Sequence, residues 1–310
     1  MIVVKRILVI GSLNMDLSIS VDHLPAAGET IIANSMQVIP GGKGANQAFA
    51  VGKLGGDVTM LGAVGRDEYG AKLIESLKGA GVKTDYVIIE DQTSSGMALI
   101  SVDKEGENSI VVIAGANNVI SVEDIEAALP LILRSDIVIL QLEIPFETVL
   151  YAAKVAKREG KYVVLDPAPI PNDFSMELLH YVDVILPNET ELDMLTGSND
   201  KSTLNIRVEK LQRVYDVDVI VTLGGKGVYL SYKEAGDLSL PARKVELVDS
   251  TAAGDAFTAA FSYYRAEGNS MVEAVRFARD VSGLVVTRKG AQSSIPSLEE
   301  VQNFILINDG

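Results

Sequence analysis

The run Asp249-Ser250-Thr251-Ala252-Ala253-Gly254-Asp255-Ala256-Phe257 gathers residue types that phosphoryl chemistry uses. Small residues and a glycine lead straight into an apolar-periodic stretch, which predicts a helix over residues 254–267. The start of such a helix leaves backbone N–H groups unpaired and carries the positive end of the helix dipole, so it forms an anion hole. Ala252, Ala253 and Gly254 would line that hole, and Gly254 lets an anion come close to the backbone. Asp255 stands beside it in the first turn. It reads either as a helix residue favoured by the dipole or as a base that takes the proton of an attacking hydroxyl.

Three other segments carry possible ligand chemistry. Gly41-Gly42-Lys43-Gly44-Ala45-Asn46 has three glycines in four residues, which suits a ligand pressed against backbone. It is not a Walker loop, because the spacing Gly-x4-Gly-Lys-Ser/Thr is absent from the sequence. Thr222-Leu223-Gly224-Gly225-Lys226-Gly227 is a strand followed by a glycine turn, and taken alone it reads as an ordinary hairpin. In Pro187-Asn188-Glu189-Thr190-Glu191, Asn188 and Glu191 fall on one side of a first helical turn. They form either an N-terminal capping box or a pair that holds hydrated Mg²⁺.

The elements that must position these residues alternate. Short β-branched runs recur at 7–10, 57–61, 137–140, 162–166, 184–186, 219–222 and 227–231. Helical patterns lie at 43–54, 70–80, 122–133, 145–159, 189–195, 204–215 and 254–267. A short helix near 271–279 and an apolar segment through 286 complete the core. Strand–helix alternation of this kind predicts a Rossmann-like three-layer α/β fold, with a central, mainly parallel sheet flanked by helices. Two strand pairs, 16–21 with 30–38 and 97–102 with 109–114, have no helix between them. They read either as peripheral hairpins or as a small inserted β lid that keeps water from competing as acceptor. The expected division is a core of 1–13, 41–96 and 115–310, with a lid of 14–40 and 97–114.

Composition narrows the function. A formal charge of −15 over 310 residues argues against a nucleic-acid partner and demands local positive charge wherever phosphate binds. The sequence contains no cysteine, which excludes disulfides, thiolate catalysis and cysteine-bound zinc. Two isolated histidines, His23 and His180, leave a carboxylate as the expected base. The first ten residues read as a strand rather than a secretion signal, and no membrane span is expected, so the protein is expected in the cytoplasm.

From Gly11-Ser12-Leu13-Asn14-Met15-Asp16 to Thr287-Arg288-Lys289-Gly290-Ala291-Gln292, the chain resembles the ribokinase-like carbohydrate kinase family. The stretches 41–46 and 249–257 carry the resemblance jointly. It implies an ATP-dependent kinase with a β lid that also forms a homodimer contact. It further implies a sugar site at Asn14, Asp16, Gly42, Lys43, Asn46, Glu143 and Asp255. Asn188, Thr222, Gly224, Lys226, Gly227, Gly254 and Arg279 would serve the nucleotide. Asn188 and Glu191 would meet Mg²⁺ through water. Asp255 would be the base and Gly254 part of the anion hole. The matching loops would hold K⁺ at Asp249, Thr251, Val285, Arg288, Gly290 and Ser294, mostly through main-chain oxygens, although Asp249 also reads as a simple turn cap.

Within the family, Asn14-x-Asp16, Gln141-Leu142-Glu143, Gly106-Glu107-Asn108 and Ala114-Gly115-Ala116-Asn117 resemble members that phosphorylate ribose at O5. Fructose, deoxyribose, a keto-sugar acid or a nucleoside are the alternative acceptors. A nucleoside is disfavoured because residues 16–38 contain no Phe, Tyr or Trp to stack on a base. A non-catalytic sugar sensor is the alternative of another class, and it would be expected to lack Gly254 or Asp255. Ser250, Ala256 and Arg279 depart from the family pattern, and Arg279 bears on the adenine contacts.

Overall fold

The computed structural model describes residues 5–197, 202–233 and 236–309. Strand β1 (Arg6–Ile10) is apolar along almost its whole length, as a strand covered on both faces must be. The chain leaves it for β2 (Asn14–Ser20) and β3 (Ser35–Gly41). It returns through α1 (Lys43–Lys53), β4 (Asp57–Gly65), α2 (Glu68–Gly79) and β5 (Lys83–Glu90), and leaves again for β6 (Gly96–Val102) and β7 (Asn108–Ile113). Helices α3 (Val122–Ala127) and α4 (Leu129–Arg134) lead to β8 (Ile137–Leu140), α5 (Phe146–Arg158), β9 (Tyr162–Leu165) and β10 (Val184–Ile185). Then come α6 (Glu189–Thr196), α7 (Leu204–Tyr215), β11 (Asp218–Thr222) and the hairpin β12 (Val228–Tyr232) and β13 (Gly236–Leu240). Helices α8 (Ala253–Ala266), α9 (Met271–Val285) and α10 (Leu298–Asp309) finish the chain.

The main sheet has the order β13-β12-β11-β10-β9-β8-β1-β4-β5, parallel from β11 to β5 and antiparallel through β12 and β13. Alternate residues feed two apolar layers. Ile7 and Val9 pack with α1, α2, α8 and α9, while Leu8 and Ile10 pack with α3, α4, α5, α6 and α7. Winding runs one way from β1 to β4 and β5 and the other way from β8 to β11. The order therefore reverses between β1 and β8, and in open α/β sheets ligands bind outside the carboxyl ends at such a point. A second sheet, β3-β2-β6-β7, stands at that end. No helix among the described residues is long and apolar enough to cross a membrane.

Several elements differ from the sequence reading. The stretch 122–133 is two short helices, broken at Ala128 ahead of Pro130. Helix α9 runs unbroken for 15 residues, because the charged Arg279-Asp280 pair inside it is satisfied by ion pairing. Strands β5 and β13 and helix α10 carry no clear periodic signal and were not expected.

Candidate active site

Helix α8 starts at Ala253 after Ala252, which adopts the left-handed conformation (φ 59°). No side chain caps this end, so the first-turn N–H groups stay available. A left-handed alanine costs about 1–2 kcal/mol, a cost that tends to collect at functional loops. A Cβ added at Gly254 would meet nothing within 4 Å, so the space beside it is open.

Asp255 is buried at the foot of that opening. Its carboxylate accepts from Asn46 Nδ2 at 2.9 Å and Gln47 Nε2 at 3.3 Å, and Lys43 Nζ lies 3.9 Å away. Gln47 also donates to Asp166 Oδ2 at 2.8 Å and accepts from Gln141 Nε2, which fixes its amide orientation. Lys43 Nζ is 4.0 Å from Asp166. Burial opposes the charge on Lys43, but Asp166, Asp255 and Glu143 outweigh it and hold the ammonium above its ordinary range. Burial raises Asp166, against the pull of Lys43, and burial likewise raises Glu191. Lys43, Asp166, Gly254, Asn188, Glu191 and Thr222 line one cavity.

At the β1–β8 switch point, Glu143 accepts through a single oxygen, Oε2, from Ser12 Oγ, Lys43 N (3.0 Å) and Asn14 Nδ2 (3.5 Å). Its other oxygen accepts from no donor among the described residues. Asp16 on β2 has no hydrogen-bond or ion-pair partner among the described residues. Burial, with Glu143 and Asp255 nearby, pushes its carboxyl up to about 7. A half-buried carboxyl without a protein partner is costly to retain, and a ligand hydroxyl would satisfy it.

The glycines of 41–46 play a different part from the one expected. Added Cβ atoms at Gly41, Gly42 and Gly44 would lie 2.2 Å from Asp16 Oδ2, 2.6 Å from Asn14 N and 2.6 Å from Ser12 N. They let the chain pack against itself, and Gly42 also needs its φ of 89°. Gly227 similarly clears Leu240 O, whereas the positions beside Gly224 and Gly225 are open.

On the other side of the cavity Asn188 and Glu191 form a reciprocal capping box, with all three bonds at 2.8 Å. The capping alternative is therefore realised, on residues that also face the cavity. Asn188 bridges to Thr222, and Lys226 pairs with Glu189 at 3.0 Å. Arg279 is drawn onto the buried Asp280 together with Arg243. His23 bonds Glu29 and His180 packs its ring tilted against that of Tyr215, and neither reaches the site.

Asp249 caps Thr251 through N–H (2.9 Å) and Oγ (2.6 Å), and its second oxygen accepts from Gly290 N at 2.9 Å. Burial opposes this, yet those bonds hold Asp249 below the usual carboxylate range. They also join the loop at 249–251 to the loop at 288–294. Val285 O accepts from Arg288 N (3.0 Å), Arg288 pairs with Glu300, and Ser294 Oγ donates to Ala291 O. What remains for a cation is mainly carbonyl oxygen plus one carboxylate, a donor set that fits a monovalent ion. Among the described residues no group of three or more acidic or histidine side chains forms a cage for a divalent metal. Mg²⁺ thus fits here only through water and ligand phosphate, near Asn188 and Glu191.

Asp166, Gln47, Gln141 and Ser12 were not among the expected site residues. One signal for Asp166 was available: it directly follows the apolar strand β9, at the ligand-binding end of the sheet.

A lysine among carboxylates beside an open helix start is the charge pattern that a small-molecule phosphotransferase site needs. The pfkB family carbohydrate kinase profile matches residues 4–298, and the chain belongs to that family. It is 38% identical to the Haemophilus influenzae ribokinase over 97% of this chain and 98% of that one. It is 37% identical to the Salmonella typhi deoxyribokinase over 98% and 99% of the two chains. The Thermotoga maritima ribokinase structure superposes with a TM-score of 0.90 at 40% identity, covering 97% and 99%. The Arabidopsis thaliana ribokinase complexed with ribose and ATP gives 0.86 at 36% identity, covering 97% and 98%.

Proposed function

We propose that this carbohydrate kinase transfers the γ-phosphoryl group of ATP to O5 of D-ribose. The observation that carries the reading is the convergence of Asp255, Asn46, Gln47 and Lys43 beside the uncapped start of α8. Asn14, Asp16, Lys43, Asn46 and Glu143 hold the sugar, with Gly42 letting the loop close around it. Asp255 accepts the O5 proton, and its amide donors keep the carboxylate aimed at that atom. The N–H groups around Ala252, Ala253 and Gly254 take the charge of the transferring phosphoryl. Asn188, Thr222, Gly224, Lys226 and Gly227 face the nucleotide, with Arg279 held back on Asp280.

Mg²⁺, held through water by Asn188 and Glu191, would supply charge neutralisation of the phosphates. K⁺ on the carbonyls of Asp249, Thr251, Val285, Arg288, Gly290 and Ser294 would stiffen the loop that presents Gly254. Met36, Val38, Leu99 and Val111 share the face of the small sheet opposite Asp16 and are exposed, an apolar face that a second copy would cover in a homodimer.

ATP consumption measured with ribose, 2-deoxyribose, fructose and adenosine tests the acceptor. Likeness to the deoxyribokinase makes 2-deoxyribose the second candidate. Ribose should give the highest kcat/KM, with the phosphate on O5 by ³¹P NMR. A higher kcat/KM for any other acceptor overturns ribose as the substrate.

A further inference from the structure

Four passages of chain connect the core to the small sheet, at 13–14, 41–42, 95–96 and 114–117, and they meet around Asn14. Asn14 opens β2 and pairs in register with Gly41 of β3 and Gly96 of β6. Asn117, 1% exposed, lies in the turn that follows β7. Its Oδ1 accepts from Leu13 N at 2.9 Å, and its Nδ2 donates to Leu13 O at 3.1 Å and to Asn14 Oδ1 at 2.7 Å. A Cβ on Gly96 would lie 2.2 Å from both Asn117 Nδ2 and Asn14 Oδ1, so the absent side chain there makes room for the contact.

The orientation of these amides follows from their partners. Leu13 offers one donor and one acceptor on its backbone, so Asn117 must turn its oxygen to the N–H and its nitrogen to the C=O. That places the Asn117 NH₂ against Asn14 and forces Asn14 to present Oδ1 to it. The Asn14 NH₂ is thereby turned toward Glu143, with Nδ2 to Oε2 at 3.5 Å, on the side of the sugar site. Asp16 and Glu143 offer only acceptors when ionised, so Asn14 becomes a donor beside them.

We propose that Asn117 is a positioning residue for sugar recognition: it locks the Asn14 amide with its NH₂ toward a sugar oxygen and ties that lock to the roots of the lid. This rests on the sugar-kinase reading of the site. Asn117 touches neither substrate nor nucleotide. Its effect passes through Asn14, and it makes the donor face of the site depend on the lid being seated.

The test is a double-variant cycle on the full chain with Asn14→Ala and Asn117→Asp. An aspartate can still accept from Leu13 N but can no longer donate to Asn14, which frees that amide to flip. Asn117→Asp should raise the KM for the sugar about ten-fold or more, the scale of one lost polar contact in a closed site. The KM for ATP and kcat at saturating sugar should change less than about three-fold on the same grounds. Combined with Asn14→Ala, the second substitution should add almost nothing. Multiplying effects in the double variant, or equal damage to both KM values and kcat, would overturn the positioning role. Asn117→Ser, which keeps a hydroxyl donor, is judged by the same cycle if the aspartate variant does not fold. A wild-type enzyme inactive on every sugar tested would instead sink the sugar-kinase reading itself, a separate result.

Discussion

Asp16→Asn should weaken the enzyme and stabilise the protein at the same time. The free protein holds the Asp16 carboxyl at about 7 rather than an ordinary 3.8, because burial and the Glu143 and Asp255 carboxylates disfavour its charge. In the unfolded chain it ionises freely. The folded state is therefore penalised progressively as pH rises between those two values, and fully above about 7. The shift corresponds to an upper bound of about 4 kcal/mol, which partial solvent contact and relaxation bring to about 2 kcal/mol. Removing the charge should then raise Tm near pH 8 by about 4 °C in a chain of this length. Near pH 5 the gain should be less than about half of that, since the folded carboxyl is already protonated there. The assay is ligand-free thermal unfolding of both proteins at the two pH values, with sugar kinetics alongside. The KM for ribose should rise ten-fold or more, the scale of about 1.5–3 kcal/mol for a charged hydrogen-bond partner, while the KM for ATP holds. Identical melting near pH 8, or a larger gain near pH 5, would refute the assignment of Asp16 as an unpartnered, half-buried carboxyl.

Gly42→Val should cost stability as well as sugar use, by about 1–3 kcal/mol, because its Cβ collides with backbone and its φ is positive; an unchanged Tm would show that the loop yields freely. Activity should be higher in KCl than in NaCl or a bulky organic cation at equal ionic strength, chiefly in kcat, with the response lost in Asp249→Ala. Equal rates in all three salts would remove the cation site. Val111→Lys on β7, on the face opposite Asp16, should shift sedimentation from dimer to monomer, and a wild-type chain that sediments as a monomer would dispose of the lid contact.

Residue type and spacing point to the contiguous run 249–257, whereas Asn14, Asp16 and Glu143, scattered in sequence, enter the candidate site only through the family resemblance. Asp255 sits where the run 249–257 said a helix would start, and α8 begins one residue earlier than expected. What spacing cannot convey is which way a missing Cβ faces. The glycines at 41, 42 and 44 read as room for a ligand, yet the space they clear belongs to Asp16, Asn14 and Ser12. Buried amides were equally opaque. Gln47 and Gln141 look like ordinary polar residues until the sheet brings β8 and α1 together at Asp255. Strand β5 went unread because Lys83, Asp85 and Glu90 interrupt its apolar residues at the sheet edge. Helix α9 was read short because Arg279-Asp280 looks like a polar break, whereas tertiary pairing with Arg243 buries it.

The central claim is that Asp255 is the base in phosphoryl transfer to a sugar hydroxyl. The direct test is kcat for Asp255→Asn with ribose and ATP, with ribose binding followed by calorimetry on the same preparation. The substitution keeps size and removes basicity, so kcat should fall by roughly 10²–10⁴-fold while ribose still binds. A variant that keeps more than about a third of the wild-type kcat, far outside that range, would contradict the account.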